Sequence, residues 1–275
     1  MAGLSTTSSI NEMSTAKAFS KQSVVFDELY SANRIVQYKR VRVRAHLQQY
    51  AIPKGRILEL NAGTGEDAVY FAEQGYRVHA TDIAAGMQKV LEQKVVDNNQ
   101  SGRITHEICS YTELDMLIDK GPYDHIFSNF AGLNCTDRLD KVLSSFAPLL
   151  KEKGIVTLVV LPEFCFWEFS LLLKGKWKTA FRRFAGKKGA RSHIEGEYFT
   201  CWYYNPSFII NTLQNEFECL SVEGLCTIVP PSYIEGFAEK YPRLFTWLCR
   251  WENRCKAFWP WRSIGDYYII SLRKR

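Results

Sequence analysis

Between about residue 56 and residue 161 the apolar and polar positions of the chain fall into a regular alternation. Short apolar runs at Arg56–Leu60, Arg77–Thr81, Ile104–Ile108, Asp124–Phe130 and Ile155–Leu161 read as strands. Between them, Gly65–Gln74, Ala84–Asn98 and Arg138–Leu150 carry apolar residues at three- and four-residue steps and read as helices, with a helical turn around Leu114–Ile118. This rhythm predicts an α/β fold with a parallel, doubly wound sheet, because right-handed crossovers place helices on both faces.

Outside the alternating core the pattern changes twice. Residues 1–20 are rich in Ser, Thr and Ala with little apolar periodicity, and predict a mobile tail. From Val24 to Gln49 the apolar positions recur at mixed steps and predict one or two helices, a lid over residues 21–50. After Pro162 the rhythm breaks, and residues 163–204 read as an inserted helical cap without a convincing strand–helix repeat. It resumes with a helix at Pro206–Gln214, a strand at Cys219–Val229, a helix around Tyr233–Phe258 and a last strand at Tyr267–Leu272. The expected division is therefore tail 1–20, lid 21–50, core 51–162, cap 163–204 and completion of the sheet by 205–275.

Composition adds exclusions. The 275 residues are 46% apolar and 23% charged, in the range of ordinary globular chains. The eight cysteines are scattered, with no C-x-x-C and no Cys/His spacing suited to zinc, so no metal is expected. No apolar run approaches the roughly 18–20 residues of a membrane-spanning helix. The N-terminus has no basic region followed by an apolar core. A cytoplasmic protein with free thiols is the expectation.

The chemistry concentrates in Ile57-Leu-Glu-Leu-Asn-Ala-Gly-Thr-Gly65, a glycine loop that follows a strand and opens a helix. Glycines there let the backbone approach a ligand, and the helix start offers unpaired N–H groups to a nucleotide. A second strand ends in Asp82, seventeen residues on, where a carboxylate can accept both hydroxyls of a ribose.

Glu59-x-Asn61-x-Gly63-x-Gly65 resembles the acidic-x-Gly-x-Gly-x-Gly signature of the class I, Rossmann-like S-adenosylmethionine (SAM) methyltransferases, with Asn61 replacing the first glycine. Asn tolerates left-handed backbone angles better than other non-glycine residues. The resemblance covers roughly residues 24–161 and implies a seven-stranded, mostly parallel sheet that binds SAM through Glu59, Asn61, Ala62, Gly63, Gly65 and Asp82. It further implies adenine contacts from Ile83 and from Cys109-Ser110-Tyr111, although the acidic residue that relatives carry near Ser110 is missing. Met87, Asn129 and Phe130 are the remaining cofactor candidates on the core, and Tyr30 and Arg40 on the lid. Arg40 is suited to pairing the cofactor's carboxylate. On this division, deleting residues 1–20 should spare cofactor binding, while deleting 1–45 should weaken it.

The acceptor side is less defined. Methyl transfer needs alignment, water exclusion and, for a protonated acceptor, a base. Candidate bases are His193, Glu195, Tyr198 and Glu168, all in the cap, and no unique choice emerges. Eight Lys and Arg residues lie between Glu168 and Glu195, interleaved with aromatics. Arg182, Arg183, Trp167 and Tyr198 are the candidate substrate contacts, because paired guanidinium forks suit carboxylate or phosphate. The expected partner is a small organic acceptor, apolar or aromatic with an anionic group, in a biosynthetic setting. Peripheral membrane contact by the cap is a rival use of the same residues. An RNA or protein substrate is disfavoured, since the strand end is Ser-Asn-Phe-Ala rather than Asn/Asp-Pro-Pro-Tyr/Phe and no Pro-Cys nucleophile is present. A SAM-binding protein that does not methylate is the third reading. Oligomeric state is left open.

Overall fold

A computed structural model describes residues 6–275, with side chains from Ile10 onward. The elements, in chain order, are α1 (Thr6–Ser31), α2 (Arg34–Tyr50), β1 (Arg56–Leu60), α3 (Glu66–Glu73), β2 (Arg77–Asp82), α4 (Ala85–Asp97), β3 (Ile104–Ile108), β4 (Tyr123–Ser128), α5 (Leu139–Ser144), α6 (Phe146–Leu149) and β5 (Leu150–Val160). Then follow α7 (Phe166–Phe169), α8 (Trp177–Phe181), β6 (Ala190–Ile194), β7 (Glu197–Cys201), α9 (Pro206–Leu213), β8 (Phe217–Leu225), α10 (Phe237–Lys240), α11 (Pro242–Cys255) and β9 (Tyr267–Lys274). Seven strands form one sheet in the order β3-β2-β1-β4-β5-β9-β8, parallel except where β9 runs antiparallel to both its neighbours. This is the doubly wound sheet that the alternation predicts. The strand order reverses between β1 and β4, the place where open α/β sheets bind ligands beyond their carboxyl ends.

Alternation along β1 sorts the core into two layers. Leu58 and Leu60 face one layer with Ile126, Phe146 and Ile209, while Ile57 faces the other with Val43, Phe71 and Leu91. Three departures from the predicted elements have local causes. The helix expected over Arg138–Leu150 is split into α5 and α6, because Pro148 has no N–H to continue the ladder. The helix expected around Tyr233–Phe258 is divided at Tyr241, whose backbone is held out of the helical region ahead of Pro242. The strand expected to reach Val229 stops at Leu225, because the next four backbone N–H groups, Cys226 to Val229, donate to the Glu252 carboxylate at 2.8–2.9 Å instead of to a neighbouring strand.

The larger departures are at the edges. Residues 6–20, expected as tail, belong to α1, and residues 1–5 lie outside the described residues. Helix α1 has almost no apolar stripe of its own and is held by tertiary bonds. Asn11 donates to Cys135 O (2.8 Å) and Thr200 O (3.1 Å) and accepts from Thr200 N (2.7 Å). Lys17 and Lys21 pair with Glu197 on β7. Ser20 lies so close to α4 that a Cβ at Gly86 would stand 2.6 Å from its carbonyl oxygen. Helix α2 begins independently, capped by Asn33 Oδ1 accepting from Ile35 N and Val36 N. The cap contains a hairpin, β6–β7, that the pattern did not reveal, beside the short helices α7 and α8.

Beneath the sheet a line of polar groups crosses the apolar layers. His125 Nε2 meets Thr157 Oγ1 at 3.0 Å, Thr157 meets Ser271 at 2.7 Å, and Ser271 meets His46 Nε2 at 3.0 Å. Burial pushes the His125 imidazole down to about 3, helped by the neighbouring His46. A histidine held neutral in the fold but free to protonate when unfolded stabilises the fold fully above its unfolded value of about 6.5, and loses that contribution as pH falls toward 3. Glu223 is also depressed, to about 2, because His46 and Lys256 outweigh its burial, but its contribution is lost only below the ordinary carboxylate range. Between pH 6.5 and 5 this imidazole alone contributes a falling limb of about 2 kcal/mol. Buried His79 adds to it and Glu59, raised by burial, opposes it, so it is read by denaturant unfolding as the difference between wild type and variant. His125→Gln should flatten this limb. An equal slope in wild type and variant would show that the imidazole is not the group responsible.

Candidate active site

The carboxyl ends of β1, β2 and β4 open onto one cavity, bordered by Glu59, Asp82 and Asn129. Its floor is the glycine loop. Asn61 takes φ of +46°, the left-handed angle the signature requires there, and its side chain ties the loop to the end of β4. Asn61 Nδ2 donates to Asn129 O at 2.9 Å, and Ser128 Oγ donates to Asn61 Oδ1 at 2.6 Å. Gly63, at φ of +57°, has open space where a Cβ would stand, so the loop backbone is bare toward the cavity. Gly65 does not line the cavity. A Cβ on it would meet Leu91 at 2.7 Å, so it serves the close packing of the loop on α4.

Asp82 ends β2 and braces two loops. Its Oδ2 accepts from Gly63 N at 2.9 Å and its Oδ1 from Ala84 N at 2.8 Å, leaving lone pairs on both oxygens toward the cavity. Burial raises its pKa, and backbone donors at Ala84, Gly63 and Ile83 oppose that shift. Glu59 is buried deeper. Desolvation, reinforced by the charge of Asp67, holds its carboxyl well above the usual carboxylate range, and its Oε2 has no hydrogen-bond partner. Such an orphaned buried oxygen on a cavity wall is the mark of a group waiting for a donor.

Beside it Asp67 is a hub. It accepts from Arg40 Nη1 (2.9 Å), Asn129 Nδ2 (2.8 Å) and Arg44 Nε (2.7 Å). Burial alone would raise this carboxyl, but Arg40 and Arg44 outweigh it and keep it ionised below the ordinary value. Arg40 lies over the Phe130 ring at 4.8 Å, and among the described residues only its Nη1 has a protein partner. Phe130 and Ala131 both adopt left-handed angles, φ of +48° and +60°, which costs of order 1 kcal/mol each and is the kind of strain that gathers at functional sites.

Of the cofactor candidates, Glu59, Asn61, Ala62, Gly63, Asp82, Ile83, Met87, Ser110, Tyr111, Asn129, Phe130 and Arg40 all border this one cavity. Tyr30 does not; it packs against Phe26, one turn earlier on α1, and Phe26 is the wall residue. The residues missed from the sequence include Asp67, Gly132 and Cys135 and, as a group, those of α1. Glu12, Thr15, Ala16 and Phe19 roof the cavity. Glu12 Oε2 accepts from Ser110 Oγ at 2.9 Å and from Thr112 Oγ1 at 3.1 Å, which puts a carboxylate beside Ser110, where the sequence lacks one. No local signal could have found it, since the two positions are 98 residues apart.

None of the cap candidates borders the cavity. Glu168 is buried and occupied: Arg182 holds it through Nε (2.7 Å) and Nη2 (2.6 Å), and Arg183 through Nε (2.9 Å) and Nη2 (2.6 Å). Arg183 also reaches Asp266 Oδ1 at 2.7 Å. These forks are spent on carboxylates of the chain itself, so the expectation that Arg182 and Arg183 receive a substrate anion is corrected. Trp167 donates its Nε1 to Thr227 O. His193 and Tyr198 face each other on the hairpin with ring centroids 4.5 Å apart, and Glu195 is in its turn. Phe199, on the inward side of the same hairpin, meets Phe19 of α1 at 6.0 Å.

Residues 57–154, which include this floor, match the family described as methyltransferase domain. That segment is a methyltransferase domain. The chain is 29% identical over 135 residues, 48% of its length, to YqeM of Bacillus subtilis, 51% of which is covered. It is 26% identical over 155 residues, 56% of its length, to the malonyl-[acyl-carrier protein] O-methyltransferase of Yersinia pestis, 52% of which is covered. The chain thus spans about half the length of the curated relatives it matches. Among solved structures, the 1,6-didemethyltoxoflavin-N1-methyltransferase of Burkholderia thailandensis, determined with 1,6-didemethyltoxoflavin and S-adenosylhomocysteine bound, superposes with a TM-score of 0.59 at 15% identity, covering all of this chain and 92% of that one. The methyltransferase domain contributes the glycine loop, Asp82 and the β4 end, while the cavity's roof comes from α1, outside the matched segment.

Proposed function

We propose that the chain is a SAM-dependent methyltransferase for a small, mainly apolar acceptor. The observation that carries this reading is the cavity wall itself. The bare face of Gly63, the free lone pairs of Asp82 and the orphaned Glu59 oxygen line one cavity, and they match the donors and shape of an adenosyl amino acid. Asp82 would hold the ribose hydroxyls, and Ile83, Met87 and Tyr111 the adenine, with Glu12 offering the carboxylate that Ser110 does not. Glu59 and Arg40 would face the amino-acid end. The cofactor, when bound, supplies a methyl group electrophilic enough to be taken by in-line displacement.

What the chain's own groups supply is alignment and exclusion of water. Asp67 is committed to Arg40 and Arg44 and so is not a free base, and Glu59, its carboxyl raised by burial, is assigned to the cofactor's amino-acid end. Tyr111 is raised far by burial, and Cys135 is raised by its hydrogen bond with Cys201 and by burial. The acceptor is therefore expected to be nucleophilic without help from a strong base. Its side of the cavity is formed by Phe19, Phe130, Gly132 and Cys135, which favours an apolar or aromatic molecule. Arg182 and Arg183, the cap residues suited to an anion, are spent on Glu168 and Asp266 and lend no support to an anionic group on it. The roof formed by α1 favours a small molecule over an RNA or protein segment. The Burkholderia enzyme, with a small heteroaromatic acceptor beside S-adenosylhomocysteine, lends support to the same use of this fold. Eight free cysteines accord with a reducing, cytoplasmic setting.

The reading is tested by calorimetry with S-adenosylhomocysteine. Asp82→Ala removes charge-assisted bonds worth about 1.5–3 kcal/mol each, so affinity should fall by roughly tenfold or more. The substitution also frees the Gly63 and Ala84 N–H groups, so a melting curve is recorded alongside. Unchanged affinity in a folded variant would overturn the assignment. Wild-type cofactor binding with no methylation across a panel of small apolar acceptors would favour a binding protein or an enzyme of another reaction.

A further inference from the structure

We propose that the outer surface of the cap and of the C-terminal helix and turn is a docking face for an anionic lipid bilayer. The first observation is where the charge lies. The chain carries 35 Lys and Arg against 29 Asp and Glu. Fourteen of the basic residues fall in 164–194 and 240–262, while the acidic residues of those segments are Glu168 and Glu252. Both acids are buried: Glu168 under Arg182 and Arg183, Glu252 under four backbone N–H groups. The exposed ionic groups of these segments are therefore all positive. The rest of the chain is net negative, with 27 acidic to 21 basic residues.

The second observation is independent of charge. Large apolar side chains stand out of the same segments. On the cap, Leu173 is 92% and Trp177 63% exposed; on the C-terminal turn, Phe258 is 67% and Trp259 78% exposed. Along α11, Leu244, Trp247 and Trp251 follow at three- and four-residue steps and stay exposed, about 100° round the helix from the buried Phe245 and Glu252. Arg243, Arg250 and Arg254 flank that stripe, with Arg254 over the Trp251 ring at 5.6 Å. A helix anchored by a few buried residues while an uncovered Trp/Leu stripe edged by arginines stays outside has the form of an interfacial helix. Among the described residues, no helix is long and apolar enough to cross a membrane.

The two segments are neighbours in space. Thr227 Oγ1 donates to Trp261 O at 3.0 Å, and Thr227 O accepts from Trp167 Nε1 at 3.0 Å. Phe166 N donates to Ile264 O at 3.0 Å, binding the start of the cap to the end of the C-terminal turn. Aromatic rings placed at the headgroup level, with Lys and Arg reaching phosphate, match an anionic leaflet on both counts. Nucleic acid would account for the charge but not for protruding Leu173 and Leu244.

The test is co-sedimentation of the full chain with vesicles of phosphatidylcholine alone and of phosphatidylcholine mixed with phosphatidylglycerol. The expected result is binding to the mixed vesicles, weakening as salt is raised, with little on the neutral ones. Replacing Phe258 and Trp259 together by Ser should reduce the partition by about tenfold or more, with S-adenosylhomocysteine affinity held within about twofold. That last measurement separates this proposal from the proposed activity, since cofactor binding reports on the cavity alone. Equal binding to both vesicle types, binding to neither, full binding by the double variant, or tighter binding to RNA than to mixed vesicles would overturn it.

Discussion

Deleting residues 1–20 lowers the affinity for S-adenosylhomocysteine by roughly tenfold or more, with the sheet still folded. The pattern of the sequence points the other way, to a dispensable tail. The structure places Glu12, Thr15, Ala16 and Phe19 over the cavity, and Glu12 bonded to Ser110 and Thr112. A charge-assisted bond from Glu12 to the cofactor, in the role proposed for it at the adenine, is worth about 1.5–3 kcal/mol, and each 1.4 kcal/mol is tenfold. The core does not need these residues, because α2 has its own cap at Asn33 and the sheet layers are closed by α2 to α5 and α9. Isothermal calorimetry with a parallel melting curve separates the two effects. Glu12→Gln, which keeps the helix and removes the charge, should give a smaller loss in the same direction. A truncated chain that binds with wild-type affinity would remove α1 from the cofactor site.

Arg183→Met destabilises the chain by about 3–5 kcal/mol. Arg183 is 2% exposed and makes bonds to Glu168, to Asp266 Oδ1, and to the carbonyls of Pro162 and Asp266. Removing it leaves Asp266 buried without its cation and Glu168 with half its donors, and an uncompensated buried charge is far more costly than the pair itself was favourable. Arg182→Met should cost much less, because Arg182 is part-exposed and Glu168 would keep Arg183. Urea unfolding of the two variants measures the contrast directly. Equal stabilities would show that the cap is not locked through Arg183.

The strands of the core, the left-handed Asn61 and the carboxylate at Asp82 could be read from the sequence because each is a local matter of apolar runs, backbone angle and spacing. Helix α1 could not. Its buried positions are small residues such as Ala18, and what fixes it are bonds to Cys135, Thr200 and Glu197, far away in the chain. The hairpin β6–β7 did carry a signal in Glu195-Gly196, both with positive φ at its turn, but the basic and aromatic residues around it masked the alternation. Arg182 and Arg183 were misplaced for a different reason. A guanidinium fork suits a carboxylate equally well whether that carboxylate arrives on a ligand or belongs to the chain, and only the fold decides between Glu168 and a substrate.

The bonds between Asn11 and Thr200 span 189 positions. The glycine loop and Asp82, by contrast, are made from neighbours of β1 and β2 and can form as soon as residues 56–82 pair. The cofactor floor is thus a short-range product of folding, and its roof a long-range one that must wait for the hairpin to be synthesised and placed. A chain emerging from synthesis can hold its first helix against α4 and Ser110 early, but the bonds of Asn11, Lys17 and Lys21 to β7 come last and complete the roof.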